Sequence, residues 1–245
     1  MYRWNLRGDL IMNKEWSELN KTMQAQLKKE DTFKAGIDTL FDLRNQLIQT
    51  LTSFNDELSR EDFNAIPFIN ANGYHSKTIA YSIWHIFRIE DIVAHVLIGK
   101  DEQVFSTGSY QKRINSPIIT TGNELIKQQI ADFSKQLDLK ELYSYIFEVK
   151  ESTDKIIRDL SYDKLKQKIS AERKEYLKSL HVVSTDESAV WLIDYWCNKD
   201  IRGLIQMPFS RHWIMHTEAC LRIKNKIHSE NFKRRASEKP GLGRR

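Results

Sequence analysis

The chain is poor in the residues that interrupt helices, with nine glycines and four prolines in 245 residues. An all-β protein turns every few residues and draws on Gly and Pro to do so. Their scarcity, beside abundant Leu, Ile, Lys, Glu and Gln, predicts an all-α protein. Cysteine is scarcer still. Cys197 and Cys220 are the only two, too few for a disulfide framework, which fits a reducing cytoplasm. Long apolar runs are missing as well. The stretch "IAYSIWHIF" is flanked by polar residues well short of the roughly 18 apolar positions a membrane span needs. No charged n-region followed by an apolar segment opens the chain as a secretory signal would. The expectation is a soluble cytoplasmic protein without a membrane partner.

The body also lacks an excess of charge. Residues 233–245, "KRRASEKPGLGRR", hold six Lys or Arg against one Glu, a local +5 that equals the formal charge of the whole chain, so residues 1–232 sum to zero. A neutral body with a basic tail argues against nucleic acid as a partner, because phosphate neutralisation needs a basic face. The tail has no apolar periodicity and carries Pro240 among glycines and charges, the composition of a disordered segment. Its "RRAS" has the form of a basophilic kinase site at Ser237, although a solvated tail is the simpler reading. At the other end, residues 1–12 show no clear periodicity, and Met12 stands directly before the helical pattern "NKEWSELNKTMQAQLKK". Met12 is thus a second candidate start, which the sequence leaves open. The domain reading is an N-terminal extension over residues 1–12 outside the core, one helical domain over 13–230, and a basic tail over 231–245.

Helical periodicity fills the domain. After Asp31, a candidate cap, Phe33, Ile37, Leu40, Phe41, Leu43, Leu47, Ile48 and Leu51 form a broad apolar stripe, a long core helix. Ser59 and Asp62 start a short turn, "NAIPFINANGYHS" reads as a loop, and a second long helix is expected over residues 77–98. Residues 99–122, with three glycines and Pro117, read as a long connection that ends in a capping box from Thr121 to Glu124. A second box, Asp138 to Glu141, opens a third long helix. Shorter helices follow around "YDKLKQKI" and "AERKEYLKSL". Trp191, Leu192, Tyr195 and Trp196 mark a buried segment, and Pro208 introduces a last helix to about residue 228.

Within that last helix, "RHWIMHTEACLRI" sets His212 and His216 four residues apart, on one face and one turn from each other, where they could grip one metal ion. The residue after His212 is Trp213 rather than Glu, so this is not the His-Glu-x-x-His pattern of a zinc protease. Helix bundles build metal sites from facing helices, so a third ligand is sought on another helix. His85 is the candidate, embedded beside Trp84 and Phe87 in the second helix. His95 lies ten residues further on, rotated by about 80° at 3.6 residues per turn, and does not share that site. Each residue also has a plain reading: a hydrogen-bonded core histidine at His85, a small buried hydrophobe at Cys220.

Together, "IAYSIWHIFRIEDIVAH" and "RHWIMHTEACLRI" resemble the DinB/YfiT-like metalloenzyme superfamily, unrelated to the polymerase that shares the name. The resemblance covers roughly residues 13–228. It implies a four-helix bundle with an up-down-down-up course and extra short helices. It also implies a divalent metal site on His85, His212 and His216. Two departures stand out: the stretch over residues 161–207 is longer than the family's usual connection, and Thr217-Glu218-Ala219 replaces the glycine-containing run that often follows the second histidine.

Three neutral imidazoles around Zn²⁺ or Ni²⁺ leave a coordination position open for a water or a thiol. The expected function is a divalent-metal-dependent enzyme of the DinB type, a low-molecular-weight thiol S-transferase acting on a small-molecule substrate. Residues 99–122 and the aromatics at the bundle mouth are expected to shape the pocket. The alternatives are a non-catalytic metal- or ligand-binding stress-response bundle and a metal-dependent hydrolase. No residue is assigned as general base, no organic cofactor is implied, and a homodimer is left open as an assembly.

Overall fold

The computed structural model describes residues 9–237, and among them the fold is all-helical, with one isolated bridge between Lys168 and Asp200 in place of any sheet. Helix α1 spans Asp9–Gln26 and packs along α2, Phe33–Glu57. A short α3, Arg60–Asn64, precedes α4, Ile79–Asp91, which continues as a π-helical segment, Ile92–Gly99. Two single-turn helices, α5 (Val104–Thr107) and α6 (Tyr110–Arg113), lead to α7 (Gln128–Gln136) and α8 (Leu139–Arg158). After a 3₁₀ turn, Asp163–Lys166, come α9 (Ala171–Ser179), α10 (Glu187–Cys197) and α11 (Ile201–Gln206). A second π-helical turn, Met207–Arg211, runs into α12, His212–Ser237. Residues 1–8 of the expected extension and 238–245 of the expected tail lie outside the described residues.

Four long helices, α2, α4, α8 and α12, pack against one another. Arg44 meets Asp154 while Leu51 meets Tyr143, so α8 runs antiparallel to α2. Phe87 meets Trp213 while Ser82 bonds Cys220, so α12 runs antiparallel to α4. Helix α4 is the hub. Every residue from Ile79 to Asp91 is buried, which explains why its sequence is apolar nearly all round rather than along a stripe.

The core has two apolar clusters. One joins Leu43–Phe54 of α2, Ile79–Phe87 of α4, Leu142–Val149 of α8 and Trp213–Ile227 of α12. The other joins Met23 and Leu27, Phe33–Leu40, Ile89–Leu97, Ile157 and the α9–α11 region. At the seam between them each of three helices places a charge: Arg44, Glu90 and Asp154. Arg44 makes a two-pronged pair with Glu90, both N···O distances 2.8 Å, and bonds Asp154 at 2.8 Å and the Phe209 carbonyl at 3.2 Å. Burial pulls the guanidinium pKa down, but Glu90 and Asp154 more than offset it, so Arg44 stays charged.

Several local expectations differ from the structure. Thr32, not Asp31, sits at the α2 N-cap, and its hydroxyl turns back to the Gln26 carbonyl at 2.8 Å instead of capping forward. No helix opens at Thr121: α7 starts at Gln128, and the hydroxyl that meets Glu124 belongs to Thr120. Trp191 is about half exposed, edge-to-face with Tyr195, while Leu192 and Trp196 are buried. Helix α12 continues to Ser237 rather than ending near residue 228. The boxes at Ser59 and Asp138 fare differently, each accepting the expected backbone N–H, from Asp62 and Glu141.

Candidate metal centre

Pro208 has no N–H to offer, so the backbone cannot run into the last helix as an unbroken α-ladder. The turn widens instead, and the His212 N–H donates to the Met207 carbonyl five residues back. Such π turns re-aim side chains, and α12 begins at His212 itself, with His216 one turn on. Both imidazoles face α4, where His85 sits. Ring centroids are 5.2 Å apart for His85–His212, 4.9 Å for His85–His216 and 4.5 Å for His212–His216. One ligand nitrogen from each lies within 4.8 Å of the others, and all three residues are buried. A zinc-sized ion holds nitrogens about 3.3 Å apart at tetrahedral angles, a spacing that small side-chain rotations reach from here.

The His85 tautomer is fixed. Its Nδ1 lies 2.6 Å from the Thr121 carbonyl; a carbonyl only accepts, so Nδ1 carries the hydrogen and Nε2 keeps its lone pair, the arrangement that prepares an imidazole to ligate a cation. Gly122 makes that contact possible. Its φ of +75° is a left-handed conformation, and a Cβ there would lie 2.9 Å from the Trp84 ring, so only glycine lets the loop settle on α4. The Gly122 carbonyl in turn accepts from the Tyr81 hydroxyl at 2.9 Å, and the Tyr81 ring stacks on His85 at 5.3 Å.

Burial, with Lys77 acting in the same direction against the Thr121 hydrogen bond, pushes the His85 pKa down to about 4. His212 and His216 lie well below their ordinary range, first through burial and then through the neighbouring histidines. All three are neutral at pH 7, the form that ligates. The Nδ1 atoms of His212 and His216 are buried without a hydrogen-bond partner. Buried nitrogens left without partners are uncommon in a settled core, and a cation among the three rings would relieve that deficit. The donor set fits a borderline divalent ion.

Comparison with models of known protein families and with curated proteins gives no match.

A cavity of about 230 Å³ opens beside the rings, lined by Gly73, Tyr74, Lys77, Tyr81, Asn123, His85 and His216. Residues 99–122 do not form its wall as expected. Their segment over 104–113 folds into α5 and α6, whose Val104, Phe105 and Tyr110 are buried. The Asp91 carboxylate pins this part of the chain by accepting from the Val104 and Phe105 N–H groups, 2.9 Å each. The wall comes instead from the loop before α4, with the Tyr74 ring edge-on to His216 at 4.8 Å.

The other histidine and the thiol stay apart from the centre. His95 bonds Asp101 at 2.8 Å and lies 3.8 Å from Asp91. The Cys220 thiol is fully buried, and burial pushes its pKa up to about 12 against a hydrogen bond with Ser82. It behaves as a small apolar side chain. Sequence reasoning missed Tyr74, Lys77, Tyr81 and Asn123; only Tyr81 carried a signal, standing one helical turn before His85.

Proposed function

We propose that this chain is a DinB-type metalloprotein in which His85, His212 and His216 hold one Zn²⁺ or Ni²⁺ ion, and that it acts as a thiol S-transferase in a reducing cytoplasm. The observation that carries the reading is the convergence of three buried, neutral imidazoles from α4 and α12 beside an open cavity. The senses of the long helices, α2 and α12 one way and α4 and α8 the other, support the up-down-down-up course of that family. Cys197 and Cys220 are both free, compatible with that compartment.

When bound, the cation stabilises the deprotonated form of a thiol or water at its open position. The protein's own part is positional. Thr121 holds the His85 tautomer, and Tyr81 and Tyr74 cover the rings from two sides. In the transfer itself the thiol sulfur forms the new bond to carbon, a halide or similar group leaves with the bonding pair, and the thiol proton passes to solvent.

Protein purified without a histidine tag should take up one equivalent of Zn²⁺ or Ni²⁺ at neutral pH. His85→Ala, His212→Ala and His216→Ala should each lose it, whereas His95→Ala and Cys220→Ser should keep it, with circular dichroism reporting the fold. A wild-type protein that binds no ion sinks the reading. An aryl halide consumed only when thiol is present supports transfer, hydrolysis of an ester without thiol supports a hydrolase, and neither leaves a binding bundle.

A further inference from the structure

Lys77 has no acid partner among the described residues. It immediately precedes Thr78, the α4 N-cap, whose side chain accepts from the Tyr81 N–H. Its ammonium nitrogen rests 5.3 Å from the centre of the Tyr81 ring, which itself stacks on His85. Among the described residues no carboxylate forms an ion pair with it. Glu124, the acid next to Asn123, engages the Thr120 hydroxyl and does not line the cavity. Burial lowers the Lys77 pKa from its ordinary value.

Lys77 is half-buried, and a lysine partly withdrawn from water gains from a partner of opposite charge. The cavity wall offers it no anion: its remaining side chains are two tyrosines, an amide and two imidazoles. Adding a divalent cation at the histidines would make the surroundings more positive still, so what is missing from this cavity is negative charge. The amide of Asn123 lies on the same wall and can donate to an oxygen held by Lys77.

We infer that the cavity takes a small thiol bearing a carboxylate, with the carboxylate held by Lys77 and Asn123 and the sulfur turned toward the three histidines. The sulfur half of this inference rests on the metal reading above. A cavity of about 230 Å³, below the range typical of drug-sized ligands, has room for both groups and a short chain between them.

The full chain loaded with Co²⁺ provides the test, because sulfur ligation changes the cobalt absorption spectrum. Three probes of similar length, 3-mercaptopropionate, 3-mercaptopropan-1-ol and cysteamine, are titrated in turn. A charge-assisted contact predicts that mercaptopropionate binds about 10- to 100-fold more tightly than mercaptopropanol, with cysteamine weakest. Lys77→Met should remove most of that preference while leaving the mercaptopropanol affinity and the cobalt spectrum unchanged. Equal affinities for the acid and the alcohol in the wild-type protein overturn the inference and leave the metal reading standing. A preference that survives Lys77→Met places the carboxylate on the ion and overturns it too. Failure to take up cobalt at all overturns the metal reading, and this one with it.

Discussion

Acid should weaken the metal-free protein through its histidine cluster. His85 has an ordinary pKa of 6.5 and a folded-state value of about 4, so between those values the unfolded chain binds a proton that the native state refuses. Stability then rises with pH in that window. The contribution of His85 is fully present above pH 6.5 and is lost as pH falls toward 4. At pH 5 the unfolded chain has gained almost all of its advantage over about one and a half units, and at about 1.4 kcal/mol per unit this costs about 2 kcal/mol. His212 and His216 are displaced in the same direction and steepen the fall. The assay is urea unfolding followed by tryptophan fluorescence from pH 7.5 to 5 in the presence of a chelator, for wild type and His85→Gln. Gln can still donate to the Thr121 carbonyl but does not titrate, and every other ionisable group is common to both proteins. The wild type should lose about 2 kcal/mol more than the variant across the range. Saturating Zn²⁺ should raise the wild-type curve at every pH without flattening it, since a ligated native imidazole holds no proton and the unfolded chain still takes one. Parallel curves for the two metal-free proteins would refute the reasoning, because His85 would then titrate equally in both states.

Two further outcomes concern the supports of the site. Arg44→Met leaves the Glu90 carboxylate, fully buried, without its cation; the loss should be about 3–5 kcal/mol, seen by calorimetry as a Tm lower by roughly 6–20 °C, and a loss below about 1 kcal/mol would show that the charge layer is dispensable. Gly122→Ala forces a side chain into a left-handed turn against Trp84; it should cost about 1–3 kcal/mol and, by moving the Thr121 carbonyl off His85, weaken metal affinity about 10- to 100-fold in a competition titration.

The histidine trio was legible because helical spacing is a local property: four residues fix a shared face, and an imidazole in an apolar helix stands out. The helices were legible for the same reason, as were the caps at Ser59 and Asp138, where acceptor and donor are three residues apart. The cavity wall was not. Lys77 and Tyr74 lie in a loop whose path depends on packing, and the group that orients His85 is the backbone oxygen of Thr121, which no side chain advertises. The box expected at Thr121–Glu124 failed because Gly122 turns the chain over α4 instead of into a helix. Arg44 is a different case. It lies four residues after Leu40, three before Leu47 and four before Ile48, inside the apolar stripe of α2, so periodicity itself placed a charge in the core. The partners Glu90 and Asp154 are distant in sequence, and their meeting is tertiary.

That buried charge layer and the histidine cluster are joined through one residue. Trp213 follows His212 directly, and its indole N–H donates to Glu90 at 2.7 Å while its ring lies under Arg44 at 4.5 Å and against Phe87 at 4.5 Å. The first turn of α12 therefore cannot rotate without breaking a hydrogen bond to a carboxylate that has no water to replace it. Apolar contacts alone would tolerate such a rotation, since they are non-directional; the Arg44–Glu90 pair is directional and ties α2, α4 and the start of α12 to one angular setting. His212 and His216 share that setting because they are on the same helix, and His85 shares it because Glu90 is on its own. A ligand cluster assembled from two helices needs both their rotation and their axial register fixed. The polar seam between the two apolar clusters supplies that constraint about one turn from the imidazoles.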